Sequence, residues 1–330
     1  MTGGNEIQWI NSRLKEYWKI PFVAGIFLIF PFIVPYTALA TEVIIFALAV
    51  VAFDLLMGYT GILIFCQGAL FGTSVYITAL TLIHLVQNVF VAMFLGVLCV
   101  AFMAFVFGYM ASLRSGAYMV LLTYAFNELI YFIAYQWKDV TGGDDGLRGV
   151  PRPDIDILGM LQIDLSNSIN YYYFAFIFFI VSFFIITRIV NSPFGKIIQG
   201  IRENEVRMQS IGFNTRRFKI AVFVISGIFM GIAGSLYAMF INFAHIQNVS
   251  IETSANIIVM EIIGGMGTLF GPIVGAFLII TASDVASSYW DRWPLILGII
   301  CIIFVLFARG GIWGLAEKFG KRFFRRNNKV

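Results

Sequence analysis

The chain has 330 residues, of which 60% are hydrophobic and only 12% are charged, and its formal net charge is +4. Soluble globular domains are about half apolar and about one-quarter charged, so this composition excludes an ordinary soluble protein. A membrane-spanning helix needs about 20 apolar residues in succession. The composition therefore predicts an all-α polytopic membrane protein.

Ten apolar runs predict about ten transmembrane helices, some of them broken or partly re-entrant. The eighth run is too short to span a membrane alone, and it leads through Glu261 into the glycine-rich stretch 264–267. Similar glycine punctuation occurs at 58–61 and 271–272. Transporters place discontinuous helices at their substrate path, but glycine also simply lets helices pack closely, and both interpretations stay open. The runs are 21–40, 43–57, 62–83, 89–113, 117–137, 170–190, 220–243, 255–264, 272–290 and 293–308.

The basic residues predict the orientation. With ten spans and a cytosolic N-terminus, the cytosolic side holds 18 of the 22 basic residues. Cytosolic loops carry an excess of Lys and Arg, so both termini are predicted to be cytosolic. The chain then divides into a cytosolic interfacial segment at 1–20, a membrane domain at 21–308 and a basic cytosolic tail at 309–330, whose charge needs no nucleic acid to explain it. The four outer basic residues are Lys138, Arg148, Arg152 and Arg292.

Two long polar connections interrupt the apolar runs, and this orientation places residues 138–169 outside and 191–219 inside. The outer connection is mildly acidic, includes Asp144, Asp145 and Arg148, and is held in turns by glycine and proline. It is either a connecting loop or a surface for docking or gating by something outside.

The inner connection has the pattern of an amphipathic helix. Pro193 suits a helix start, and Gly212 with Asn214 suits a stop. Such a helix lies on lipid or in a partner's groove; the alternation of acids and bases on its polar face favours a protein partner. Its apolar residues recur at intervals of three and four: Phe194, Ile197, Ile198, Ile201, Met208 and Ile211.

No catalytic motif is recognisable. The sequence lacks a G-x-x-x-x-G-K-[ST] phosphate loop, H-E-x-x-H and G-x-S-x-G, and its three cysteines have no zinc-like or disulfide-like spacing. We therefore predict no enzyme activity and no metal or cofactor on this chain. Carboxylates inside apolar runs are functional candidates because an ionisable group there is costly, although a structural hydrogen bond is the competing explanation. These carboxylates are Asp54, Glu128, Glu261 and Asp284.

Five segments together resemble the LivM-type permease subunits of branched-chain amino acid ABC importers. They occur in the family's order and run through most of the chain after residue 50. The segments are GYTGILIFCQGALFGTSVYITA (58–79), SGAYMVLLTYAFNELIYF (115–132), TGGDDGLRGVPRP (141–153), SPFGKIIQGIRENEVRMQSIGFNTRRFK (192–219) and IIGGMGTLFGPIVGA (262–276).

The resemblance implies a permease subunit of a bacterial or archaeal cytoplasmic membrane that does not itself hydrolyse ATP. Such permeases pair with a second, related permease and with two cytosolic ATPase subunits, which bind ATP and Mg, and an extracytoplasmic binding protein delivers the substrate. The segment from Phe194 to Gly212 would be a coupling helix, and Asp144, Asp145 and Arg148 would lie where the binding protein docks. The implied ATPase-coupling residues are Phe194, Gly195, Arg202, Glu203, Asn204, Glu205, Arg207 and Gly212.

The candidates for the substrate path are polar residues of the membrane domain. Glu261 and Asn127 depart from the family's usual residues, which indicates either an altered substrate path or a local polar contact with the partner permease. Substrates of the family range from branched-chain and other amino acids to urea, short amides and aromatic carboxylates, so this chain alone does not name the solute. The path candidates are Asp54, Tyr59, Gln67, Asn127, Glu128 and Glu261.

Two other functions remain as alternatives. A secondary transporter or channel would need no ATPase and would use Asp54, Glu128 or Asp284 as an ion site. A membrane-embedded enzyme or scaffold is the other, but it lacks a catalytic constellation. The long, patterned cytosolic segment favours the importer subunit.

Overall fold

A computed structural model describes residues 19–114, 116–157 and 161–289, together with residues 295, 298, 299, 302, 311, 312 and 314. The predicted interfacial segment at 1–20, the tenth apolar run and the basic tail lie wholly or mostly outside the described residues. Within the described part the chain is dominated by helices.

Twelve α-helices are seen in the described part of the chain. They are α1 (Lys19–Ile33), α2 (Thr37–Asp54), α3 (Gln67–Leu80), α4 (Val89–Ala111), α5 (Ala117–Gln136), α6 (Lys138–Thr141), α7 (Ser168–Val190), α8 (Pro193–Glu203), α9 (Glu205–Ser210), α10 (Thr215–Ile241), α11 (Ile251–Gly264) and α12 (Phe270–Tyr289). Helices α2 and α3 continue into π-helical turns at Leu55–Tyr59 and Thr81–Leu85.

Short strands and 3₁₀ turns occupy the connections. Strand β1 (Leu147–Arg148) pairs antiparallel with β4 (Phe243–Ala244), and β2 (Ile155–Ile157) pairs with β3 (Leu161–Ile163). The 3₁₀ turns are Gly143–Asp145 and Ile246–Val249.

Seven helices of the described residues, namely α2, α3, α4, α5, α7, α10 and α12, are long and apolar enough to cross a membrane. The prediction of an all-α polytopic membrane protein is therefore confirmed. Helices α1 and α11 are shorter, and with them each of the first nine apolar runs coincides with one helix. The tenth run lies mostly outside the described residues, so the total of ten remains a prediction.

The break between the first two helices differs from the boundary that the apolar runs suggested. Those runs separate after residue 40, but α1 ends at Ile33 and α2 begins at Thr37. Pro35 is the reason, because a proline has no backbone N–H and disfavours a helical conformation in the residue before it. Tyr36 is extended, with φ −152° and ψ 145°.

The helices define two ends of the molecule. Helix α7 begins at the long connection 137–167 and ends at the connection 191–214, and α10 returns from there to residues 242–250, where β4 pairs with β1. We call these the loop end, with 137–167 and 242–250, and the segment end, with 191–214. The π-helical turn that follows α2 also lies at the segment end, as the contact of its residue Gly58 with Arg202 shows.

Helix α2 lies at the centre of the bundle. In its most apolar 18-residue window, 89% of the residues are buried, against 33% in α4 and 28% in α5. Its long apolar run is thus explained by burial on every side, whereas α4 and α5 keep an outward face for lipid or a partner.

Small residues bring α10 close to α3 and α4. Gly227, Gly231 and Ser235 recur every four residues on one face of α10, which is the spacing that lets membrane helices approach closely. The hydroxyl of Ser74 on α3 donates to the Gly231 carbonyl at 2.6 Å and lies 2.8 Å from that of Ser235. A Cβ on Gly227 would collide with the side chain of Ala104 on α4.

This contact predicts a specific weak point. We expect Gly227→Val to destabilise the bundle by about 1–3 kcal/mol, since the added atoms overpack a closed interface. The measurement is the Tm of the detergent-purified protein. Gly25→Val is the matched control, because nothing lies within 4 Å of a Cβ at Gly25. Equal Tm values for the two variants would contradict the packing described here.

Candidate functional site

The segment end of α2 forms a cradle around one buried carboxylate. Asp54 is the last residue of the α-helical part of α2 and is fully buried. One of its oxygens accepts the backbone N–H of Gly267 at 2.6 Å, and the other accepts that of Leu269 at 3.3 Å. Asp54 therefore fastens α2 to the connection 265–269 between α11 and α12.

Glycine is required in this cradle. A Cβ at Gly58 would collide with the carboxylate of Asp54 and the backbone of Gly267. Gly267 itself has φ +75°, and Leu269 has φ +57°, a left-handed conformation that is uncommon for a branched residue. The hydrogen bonds to Asp54 help to hold this connection, and the glycine punctuation at 58–61 and 264–267 thus belongs to one structure.

Arg202 joins the cradle to the polar segment at the segment end. It belongs to α8, and its guanidinium donates to the backbone carbonyl of Gly58. The stem of Arg202 leaves no room for a side chain at Gly61, which has φ +74°. Much of Arg202 remains exposed, but its charge attracts the carboxyls of both Asp54 and Glu261.

Glu261 completes what we call the charge cluster, formed by Asp54, Arg202 and Glu261. It is on α11, is fully buried and is adjacent to Asp54. Neither of its carboxyl oxygens makes a hydrogen bond of good geometry to a described residue. A buried carboxyl without hydrogen-bond partners lowers the stability of the folded protein. The positive charge of the nearby Arg202 guanidinium therefore helps to stabilise this cluster.

A second polar site surrounds the broken start of α3. The third apolar run was predicted from residue 62, but the chain is non-helical at 60–66 and α3 begins at Gln67. Asn127 accepts the N–H of Ala69 at 2.8 Å and donates to the carbonyl of Val249 at 3.0 Å. The Ser254 hydroxyl accepts the N–H of Gly68 at 2.7 Å. These side chains satisfy the free N–H groups of the helix start.

The remaining path candidates have different surroundings. Asn127 on α5 joins α3 and the start of α11 by hydrogen bonds within this chain, and the predicted contact of Asn127 with the partner permease stays a prediction. Gln67 is fully buried, and neither polar atom of its carboxamide has a hydrogen-bond partner among the described residues. Tyr59 is buried in the π-helical turn, and Glu128 on α5 is half-buried.

Asp284 lies apart from the charge cluster, near the far end of α12. It accepts a hydrogen bond from the hydroxyl of Tyr36 in the connection between α1 and α2. This hydrogen bond is the main cause that raises the pKa of Tyr36 to about 12, so the phenol stays a donor at neutral pH. The four carboxylates found in the apolar runs are thus not one ion site.

The polar segment 191–219 is helical, but it is not one helix. Pro193 begins α8, as predicted, and Ser192 caps this helix. The helix breaks at Asn204, which is extended and caps α9 by accepting the N–H of Arg207 at 2.9 Å. Gly212, with φ +98°, follows α9, whereas Asn214 caps the next helix, α10, and is not part of the stop.

The apolar face of this segment is only partly packed. Ile198 and Ile201 are buried, and Phe194 packs against Phe218 with ring centroids 5.7 Å apart. Ile211 was predicted to share that face, but it is 65% exposed because the break at Asn204 turns α9 away; Val206 is 71% exposed. The tip of the segment therefore presents apolar side chains outward.

Glu205 is engaged inside the chain. Its carboxylate forms a 2.6 Å ion pair with Lys219 of α10 and accepts a hydrogen bond from Thr215 at 3.1 Å. Gln209 donates to the hydroxyl of Thr215 at 3.0 Å. These contacts hold α9 against α10.

The other predicted coupling residues differ in their exposure. Gly195 is buried, and a Cβ at this position would collide with the carbonyl of Val190. Glu203 and Arg207 are exposed.

The turns in the connection at the loop end require glycine. Asp144 and Asp145 are exposed in a 3₁₀ turn between Gly142 and Gly146, which have φ +75° and +65°. A side chain at Gly146 would also collide with the carbonyl of Ala244. The guanidinium of Arg148 lies 6.0 Å from the centre of the Phe243 ring, beside the β1–β4 pair.

Sequence reasoning missed the role of Arg152. Its guanidinium donates to the carbonyls of Met239 and Phe240, which are free at the end of α10, and lies 5.0 Å from the ring centre of Tyr171. Burial lowers the pKa of Arg152 from its ordinary value. No local pattern pointed to it, since the carbonyls that Arg152 reaches lie 87 and 88 positions further along the chain.

The fold and these sites define a polytopic helical membrane transport protein, with broken helices in the bundle and a buried charge cluster tied to a helical segment at one end. Residues 36–307 match the family model for the permease component of branched-chain amino acid transport systems. The chain belongs to this family. It is therefore a permease subunit of an ABC importer, and an ATPase-independent transporter or channel is not favoured.

Named relatives agree with the family. The chain is 24% identical over 292 residues to the high-affinity branched-chain amino acid transport system permease protein LivM of Escherichia coli, covering 83% of this chain and 69% of the relative. It is 23% identical over 322 residues to LivM of Salmonella typhimurium, covering 92% and 76%. A probable LivM of Methanocaldococcus jannaschii is 25% identical over 183 residues, covering 55% and 51%. No solved structure matches the chain.

The charge cluster generates a test by substitution. We expect Arg202→Gln to reduce uptake by the assembled transporter at least tenfold, because it removes the charge that attracts the two buried carboxyls. The initial rate of uptake into proteoliposomes is the measurement. Arg188→Gln serves as control, since Arg188 is exposed near the same end. Uptake at the control rate, with equal protein in the membrane, would show that the cluster does not serve transport.

Proposed function

We propose that this chain is the permease of an ATP-driven importer that takes up branched-chain amino acids by alternating access. The contact between Arg202 and Gly58 carries the mechanistic part of this proposal, because it links a segment with an exposed apolar tip to the buried end of the central helix. The substrate class rests on the family and on the printed names of the relatives.

The orientation we propose has ten spans and both termini in the cytosol of a bacterium or archaeon, with the segment end inside. The excess of basic residues supports it. Arg114, Arg188, Lys196 and the basic start of α10 belong to connections at the segment end, whereas the loop end carries Asp144, Asp145 and few basic residues.

The partners in this proposal are a second, related permease, two cytosolic ATPase subunits that use ATP and Mg, and an extracytoplasmic binding protein. We call the polar segment 191–219 the coupling segment. Val206 and Ile211 at its tip support an ATPase contact, since large exposed apolar side chains in a polar connection suit a partner's groove. The weakly buried helices α4 and α5 leave an outward face for the second permease or lipid.

Coupling in this proposal proceeds through the charge cluster. When the ATPases close on ATP, they move α8 and α9, and the ion pair between Glu205 and Lys219 holds α9 to α10. Arg202 passes this motion to Gly58, and Asp54 passes it to the connection between α11 and α12. Because packed helices shift between discrete arrangements, a small displacement at the segment end can open one side of the path and close the other.

At the outer end, we propose that the binding protein docks on the 3₁₀ turn with Asp144 and Asp145. Both side chains are exposed, and the surrounding turns and the β1–β4 pair hold them in a fixed place. Arg148, which lies beside Phe243, contributes to the same surface.

A pull-down from the native membrane in mild detergent tests the assembly. We expect a second permease and ATPase subunits to co-purify with this chain, and the assembled complex to take up leucine only with ATP. If the chain purifies alone and transports in liposomes without ATP, the proposal fails.

The coupling surface is tested by Val206→Asp. We expect this variant to lose at least nine-tenths of the co-purifying ATPase, because a carboxylate would be desolvated in an apolar contact. Leu85→Asp is the control: Leu85 is 70% exposed, but it lies at the opposite end of α3 from Gln67 and far from the coupling segment. The same ATPase yield from both variants would mean that α9 is not the contact.

A further inference from the structure

A cavity of about 280 Å³ lies between α2, α11 and α12, away from the charge cluster. Among the described residues, its polar lining includes Glu42, Asp284 and Asn256. Phe46 and Met260 belong to its apolar lining. The cavity thus combines carboxylates on one part of its wall with large apolar side chains on another.

The charged side chains that line the cavity among the described residues are both acidic. Within the described part of the chain, the carboxylate of Glu42 has neither a hydrogen-bond donor nor a basic partner. Asp284 lies close enough to repel it, and among the described residues the Asp284 carboxylate accepts one hydrogen bond, from the neutral hydroxyl of Tyr36. Two carboxylates near one cavity with no basic side chain among the described lining residues are costly in a membrane domain, so this part of the wall is complementary to a positively charged ligand.

The size of the cavity restricts that ligand. Its volume of about 280 Å³ is near the lower end for small-molecule sites, which span roughly 300–1,000 Å³. An amino acid with a branched aliphatic side chain is a solute of this small class. Ile279 and Ile280 extend the apolar wall that such a side chain needs, and Asn256 offers an amide N–H to a carboxylate.

We propose that this cavity is a binding site for an amino acid in transit, with Glu42 and Asp284 holding its ammonium group and Phe46, Met260 and Ile280 packing on its side chain. The inference rests on the proposed function and extends it. It means that the permease itself selects for an ammonium group, in addition to any selection by a binding protein.

The cavity and the charge cluster share two helices. Glu42 precedes Asp54 on α2 by twelve positions, roughly 18 Å at the rise of an α-helix. On α11, Met260 is next to Glu261. Any movement of α2 against α11 at the segment end therefore changes the shape of the cavity, which gives the coupling segment a route to the bound solute.

Photolabelling of the assembled transporter tests the site. Photo-leucine, a branched amino acid with a diazirine, is added to the complex purified with its partners, and the labelled peptides are mapped. We expect label on α11 or α12 within the cavity. The double variant Glu42→Gln, Asp284→Asn should reduce labelling and leucine uptake at least tenfold, whereas Glu252→Gln, an exposed residue of α11, should change neither more than twofold.

Competition separates the ammonium contact from simple apolar binding. We expect 3-methylbutylamine, which has the ammonium but no carboxylate, to block labelling, and 4-methylpentanoate, which has the carboxylate alone, not to block it. Equal competition by both, or labelling that the double variant leaves unchanged, overturns the inference while ATP-driven uptake by the unaltered transporter still supports the proposed function. Absence of any ATP-driven amino acid uptake by the unaltered transporter defeats both.

Discussion

The hydrogen bonds from the backbone of Gly267 and Leu269 to the carboxylate of Asp54 are the constraint on which the rest of this molecule depends. They fix the end of the central helix to the turn between α11 and α12. A carboxylate in this buried place needs donors and a counter-charge, since an uncompensated charge would be very costly. The backbone supplies the donors, and Arg202, from outside the bundle, supplies the charge.

This arrangement explains why several unusual features occur together. The close approach of Asp54 requires glycine at position 58, and the turn that faces it requires glycine at 267. Arg202 can reach the carbonyl of Gly58 because α2 ends in a π-helical turn followed by a non-helical stretch. The polar segment 191–219 thus meets the membrane domain through a short polar path at Arg202 as well as through the buried side chains of Ile198 and Ile201.

Much of the architecture was predictable from the sequence, because it depends on local patterns. The apolar runs located the described membrane helices, and Pro193 located the start of α8. The break at Asn204 was missed, since an asparagine is tolerated within a helix pattern and its capping role depends on the fold. Pro35 carried a signal for the α1–α2 break, but the apolar run through it outweighed that signal.

The sites were predictable only as single residues. Asp54 and Glu261 stood out as carboxylates in apolar runs, yet nothing in the sequence placed them beside Arg202, because the three residues belong to three separate helices and only the fold brings them together. Glu42 was not recognised as a candidate, although it shares a cavity with Asp284. Glu205 was predicted as a contact for the ATPase, and the structure shows its carboxylate bound to Lys219, so any role in coupling includes holding α9 in place.

The most direct test of this account is the accessibility of the cavity during the ATP cycle. A cysteine at Asn256, in a chain whose native cysteines are replaced by alanine, is reacted with a thiol reagent in the assembled transporter with and without ATP. The account predicts that ATP changes the reaction rate, and that Arg202→Gln abolishes this change while the ATPases stay bound. A nucleotide-dependent change that persists in the Arg202→Gln variant would contradict the claim that the charge cluster transmits the motion.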